Sequence, residues 1–169
     1  TAIGTLNKDF CGVFNGDGYA VRGIYINTQE SYQGLFGYSY SGSIIANLGV
    51  AESYIYGDTC VGGVVGGNNG TVTNCYNTGS VTGSNGVGGV IGGSNSSITD
   101  CYNTGSVTGS NSVGGVAGSN SGFGTVTNCY NTGSVTGKNK VGGVAGYNDY
   151  IVTGCYNEGS VTGEEYVGG

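Results

Sequence analysis

Proline, methionine, tryptophan and histidine are absent from this 169-residue chain, and lysine and arginine together number four. Each absence removes a class of explanation. Without proline, and with 39 glycines that follow no every-third-residue rule, a collagen-type helix is excluded. Without histidine, the side chain that most readily exchanges protons near neutral pH is missing. Lys8, Arg22, Lys138 and Lys140 are then the only bases, so acid–base catalysis has few candidates. Ten acids against four bases give a net charge of −6, and an acidic surface repels phosphate backbones, which argues against nucleic acid as a partner. No apolar run of about 18 residues occurs, so no membrane insertion is expected. The chain opens at Thr1, without a methionine or a signal peptide, and reads as a processed chain or a cut fragment.

What remains is rich in strand formers. Short runs of Val, Ile, Thr and Tyr, with 14 tyrosines in all, are punctuated by glycine, which sets the class as all-β. Low lysine with abundant Asn, Thr, Ser, Gly and Tyr suits an extracellular, cell-surface protein. Six cysteines would permit disulfides there.

The second half is a repeat. Cys75, Cys101, Cys129 and Cys155 follow one another at spacings of 26, 28 and 26 residues, and Val-Gly-Gly triplets begin at Val61, Val87, Val113, Val141 and Val167. The two extra residues of the long spacing fall between Ser119 and Gly124, which marks that corner as a surface loop. Each unit reads as three short strands: Thr71 to Tyr76, Ser80 to Thr82, and Val87 to Gly92. A unit of this size suits one coil of a parallel β-helix, with coils stacked about 4.8 Å apart. Every residue then lies over its own copy. Three inward columns are expected, represented in one coil by Val72, Val81 and Val90. Residues 1–60 are a degenerate continuation, in which Leu48 takes the place of the cysteine, and residues 61–169 are the regular repeats. Phe10 to Phe14 and Tyr19 to Asn27 read as strands around the turn Asn15-Gly16-Asp17-Gly18. The expectation is a single continuous parallel β-solenoid over 1–169, of about six coils.

Gly34-Leu35-Phe36-Gly37 matches the motif that names the GLUG repeats, and Gly63-Val64-Val65-Gly66, Gly89-Val90-Ile91-Gly92, Gly115-Val116-Ala117-Gly118 and Gly143-Val144-Ala145-Gly146 resemble it. The Asn-Cys-Tyr-Asn-Thr-Gly-Ser-Val-Thr-Gly string and the leader Phe14 to Tyr19 are also similar to that family. The resemblance implies large bacterial surface or secreted proteins, including adhesin-like chains and accessory regions of surface proteases. It implies no catalytic residues.

Three columns are candidate functional features. Cys75, Cys101, Cys129 and Cys155 bring one thiol per coil with no histidine, which suits buried packing better than metal ligation; disulfides between adjacent coils are the alternative, with Cys11–Cys60 as a further pair. Tyr76, Tyr102, Tyr130 and Tyr156 should point outward by strand alternation, either stacking on one another or offering rings to a sugar. Asn77, Asn103, Asn131 and Asn157 should hydrogen-bond along the stack as amide ladders do. Regular threonine columns, Thr73 and Thr82 with their copies, are explained by strand propensity before ice binding. Asp58, Asp100, Asp149, Glu164 and Glu165 are scattered and form no carboxylate column. No catalytic residue, metal or cofactor is expected. The expected role is a rigid extracellular rod that stacks head to tail through Phe10, Phe14, Tyr166 and Val167, or that continues into a longer surface chain. The alternative is a surface adhesin or glycan-binding module using the tyrosine column.

Overall fold

The computed structural model describes residues 2–169 and contains strands and turns with no helix among them. The strands form four parallel sheets that wrap a single core, and the described residues make about six coils, two of the sheets having five strands each. One coil illustrates the course: Thr71–Asn77, Ser80–Thr82, Asn85–Gly88 and Ile91–Ser94. These four strands belong to what are called below the tyrosine, serine, valine and glycine sheets. Register is strict. Tyr76 lies beside Tyr102, Val81 beside Val107, Val87 beside Val113 and Ile91 beside Ala117. Equivalent positions of successive coils therefore meet, and the spacing of 26 to 28 is the length of one turn in the repeats.

The third strand read from the sequence is bent in two at Gly89 and Val90. The backbone turns so sharply there that a Cβ on Gly88 would overlap the Ile91 carbonyl. The corner keeps its ladder, since Gly89 N donates to Gly115 O at 3.1 Å and Val90 N to Val116 O at 3.0 Å. The first strand also breaks in the later coils, as in Ile98–Thr99 and Tyr102–Asn103. Between them Asp100 adopts φ 54°, and its copies Asn47, Asn74, Asn128 and Gly154 are left-handed too. Asn, Asp and Gly are the residues that accept this conformation at least cost, which explains the mixed identities of a column that holds the carboxylate of Asp100.

At the start of the chain, Val13–Asn15 and Ala20–Arg22 do not form a hairpin. Both run parallel to Ile44–Ala51, Val13 beside Ile44 and Ala20 beside Gly49. The intervening Gly16, Asp17 and Gly18 loop out and return in the same direction, with Gly16 N on Ala46 O and Gly18 N on Asn47 O. They are one coil strand carrying a bulge.

The core is aliphatic and sulfur-bearing. Val72, Ile98 and Val126 form one fully buried column, Val64, Val90 and Val116 another, and Val81, Val107 and Val135 a third. Leu48 lies beside Cys75 and is buried with it. Each buried Val or Ile contributes about 1.5–3 kcal/mol. Phe36 fills the wider first turns, with Phe10 and Phe14 packed on it at ring distances of 4.9 and 5.3 Å.

Candidate functional site

The asparagine column is the most ordered polar feature. Asn77 Nδ2 donates to Asn103 Oδ1 at 2.9 Å, Asn103 to Asn131 at 2.9 Å and Asn131 to Asn157 at 2.8 Å. Each amide also closes its own corner. Asn103 Nδ2 donates to Gly105 O at 2.8 Å and its Oδ1 accepts from Gly105 N at 3.3 Å. This is the Asx turn that Asn-Thr-Gly is built to make. Asn77, Asn103 and Asn131 are fully buried. Space for them comes from the glycine sheet's leading corner: a Cβ on Gly89 would overlap the Asn103 amide, and Gly115 stands in the same relation to Asn131. The Asn-Thr-Gly and Val-Gly-Gly signatures are thus two halves of one packing contact.

A second ladder is imperfect. Asn68 Nδ2 donates to Ser94 Oγ at 3.0 Å, and Asn120 Nδ2 to Asn148 Oδ1 at 2.7 Å. Ser94 is too short to continue to Asn120, and the two-residue insertion replaces the usual turn. Asn120 therefore reaches Gly124 O, while its buried Oδ1 has no partner among the described residues.

The cysteines are free thiols; in the column, Cys75, Cys101 and Cys129 are buried and Cys155 is half-buried. Cys101 Sγ donates to Thr99 O at 3.3 Å, and Cys129 Sγ to Thr127 O at 3.3 Å. Sulfur also accepts: Cys101 N donates to Cys129 Sγ at 3.4 Å and Cys129 N to Cys155 Sγ at 3.3 Å. The thiols thus satisfy backbone N–H groups next to the left-handed residues, a role that an apolar side chain cannot take. Burial pushes the Cys101 thiol well up, while the Cys101 side chain pulls Cys75 and Cys129 below the ordinary thiol value. Neither of the alternative disulfides is formed, and Cys11 is exposed, its thiol donating to Asp9 O.

The tyrosine rings do not stand free. Tyr76, Tyr102 and Tyr130 are half-buried and stack face to face with Tyr156, at ring distances of 4.9, 4.9 and 5.1 Å and near-parallel planes. Below the stack, Tyr76 covers Gly49, where no Cβ could fit. Ring faces that would bind a sugar are occupied by other rings, except the far face of Tyr156. Burial, and then Tyr76 and Tyr130, push the Tyr102 phenol up.

Of the four expected end contacts, Phe10 and Phe14 are half-buried on Phe36, while Tyr166 and Val167 are exposed. Among the described residues, no three His, Cys, Asp or Glu side chains converge on a point a metal could occupy. One feature that the repeat columns did not flag is a recess on the glycine sheet, lined by Tyr32, Tyr38, Cys60, Asn69, Gly93 and Asn95. Aligning the outward positions of that sheet, Tyr38, Gly67, Gly93, Ser119 and Tyr147, is the signal that would have located it.

Known proteins share the fold or the repeat. A candidate immunoglobulin A1 protease from Bacteroides ovatus, solved by crystallography, superposes with a TM-score of 0.72 over 92% of this chain and 68% of that one, at 22% identity. That likeness is one of fold. Halomucin of Haloquadratum walsbyi is 36% identical over 72 residues, 42% of this chain and 1% of halomucin's length. This kinship suits a secreted or surface protein. The model of the GLUG motif matches residues 57–82, 83–108, 109–136 and 139–162, more than half of the sequence. Four in-register copies with the glycine corners intact leave one conclusion: the chain belongs to the GLUG motif family.

Proposed function

We propose that this chain is a non-enzymatic extracellular structural element, a rigid solenoid segment that extends a surface protein or stacks with its own copies. The observation that carries this reading is the uninterrupted amide ladder from Asn77 to Asn157, buried at its first three members. It ties successive coils by side chains as well as backbone and resists bending between them. Each added repeat would lengthen the segment by about 4.8 Å. The exposed Val152 and Val167 of the last coil suit another coil laid on them, supplied by the same chain or by a second copy. The stacked tyrosines support a structural role over the adhesin reading, because their faces are already in contact. Negative-stain microscopy with analytical ultracentrifugation tests the stacking arm. Rods that lengthen with concentration are expected. Monodisperse particles one chain long at every concentration refute self-stacking and leave extension within a longer chain.

A further inference from the structure

The outward side chains of the glycine sheet change from coil to coil. Its outward positions run in register as Tyr38, Gly67, Gly93, Ser119 and Tyr147, so two rings bracket three residues with little or no side chain. Tyr32 meets Tyr38 edge-on, with ring centres 5.3 Å apart. Both lean over Gly67, where a Cβ would lie 2.6 Å from Tyr38 and 2.8 Å from Tyr32. The Cys60 thiol forms one flank, 3.0 Å from where a Gly93 Cβ would sit. The other flank is a chain of amides: Asn95 Nδ2 donates to Asn69 Oδ1 at 3.0 Å, and Asn69 Nδ2 donates to the Tyr38 hydroxyl at 2.6 Å. The cavity holds about 140 Å³, and no Asp, Glu, Lys or Arg lines it.

We propose that this recess binds a neutral glycan, one sugar ring entering it and the chain lying along the solenoid axis. A pyranose has an apolar C–H face and a rim of hydroxyls. The recess presents the same division, with the carbons of Tyr32 and Tyr38 at one end and amides and hydroxyls along the side. The flank is held in place before any ligand arrives, which lowers the entropy cost of binding. Hydrogen-bonding capacity is left over: among the described residues, Asn95 Oδ1 and the Ser119 and Ser121 hydroxyls make no side-chain hydrogen bond. Neutrality follows from the lining, which offers no counter-charge to a carboxylate, sulfate or ammonium that would lose its water there. Scale follows from volume. The cavity is below the ~300 Å³ at which pockets enclose drug-sized ligands, so it takes one ring and leaves the rest of the chain outside. Gly93 and Ser119 continue the floor toward Tyr147, about two coil steps or ~10 Å further on.

The test is an array of neutral gluco-, manno-, galacto- and N-acetylglucosamine tetraoses beside sialylated and sulfated glycans, followed by calorimetric titration of the best neutral binder. Gly93→Tyr fills the recess at a position that carries tyrosine in other coils and requires the Cys60 thiol to shift by a few tenths of an ångström; circular dichroism melting checks folding for every variant. Tyr38→Ala removes one wall. A neutral tetraose is expected to bind, with affinity reduced at least about tenfold in both variants and within about twofold of the parent in Tyr102→Ala, on the tyrosine sheet. No neutral binding at millimolar concentration, binding confined to charged glycans, or affinity unchanged by Gly93→Tyr overturns the proposal. These outcomes are independent of rod stacking, which microscopy decides.

Discussion

Asn103→Ala is the sharpest test of what holds the coils together. The substitution removes four hydrogen bonds: to Gly105 O at 2.8 Å, to Asn131 Oδ1 at 2.9 Å, from Asn77 Nδ2 at 2.9 Å and from Gly105 N at 3.3 Å. At about 1 kcal/mol net per bond, the loss is about 4 kcal/mol. Each stranded buried group would add to this, and a water entering the vacated space would offset part of it, so about 3–5 kcal/mol is expected. Asn157→Ala provides the control. Asn157 makes the same turn with Gly159 and accepts from Asn131, but it is half-buried, and water replaces the lost partners. Its cost should be about 1 kcal/mol. Repeat arrays can depart from two-state unfolding, so urea titration should be paired with native-state hydrogen exchange at the Gly105 and Gly133 amides. Protection should fall at Gly105 in the Asn103 variant first. A cost below about 2 kcal/mol for Asn103→Ala, or one equal to that of Asn157→Ala, would refute the buried ladder as a principal tie.

Three further outcomes follow from the same geometry. Ser94→Asn should complete the second ladder by giving the orphaned Asn120 Oδ1 a donor, raising stability by about 1 kcal/mol and the melting temperature by about 2–4 °C; no gain would mean that this oxygen is already satisfied. In a timed thiol-reagent assay, exposed Cys11 should react first and half-buried Cys60 and Cys155 later, while Cys75, Cys101 and Cys129 react only on unfolding; early reaction of four or more thiols would contradict the buried column. Tyr102 is raised by burial, so the stability linked to it is complete below its unfolded value of about pH 10 and is lost as pH rises through the folded value. Tyr102→Phe should therefore lose stability less steeply above about pH 10, measured by melting against pH; parallel curves would speak against the buried phenol.

The solenoid, its turn length and its inward columns were legible because stacked copies obey one register, and spacing alone reveals it. Leu48 in a cysteine slot pointed to packing, and Leu48 and Cys75 lie buried side by side. The bend at Gly89 was not legible, since a glycine pair reads equally well as a weak strand or a corner until the Asn103 amide is seen to need the space. The turn at Asn15 to Gly18 was legible with strands on either side, but the direction in which the chain leaves it was not. A turn tetrad shows that the chain deviates, but a parallel neighbour, here Ile44–Ala51, decides the direction in which it returns. The recess was missed because attention to identical residues passes over a column whose members differ.

The Asn77 to Asn157 amides all donate the same way along the axis, and the series starts abruptly at Val50, which lies beside Asn77 and offers it nothing. The solenoid is therefore a vector, not only a stack. Its aligned dipoles distinguish one end from the other. A coil added beyond Asn157 continues the series by presenting a carbonyl oxygen, whereas the same coil turned end for end would set N–H against N–H. Growth by further asparagine-bearing repeats, and their splicing, would accordingly be restricted to one sense, and artificial arrays joined in that sense should inherit the ladder intact.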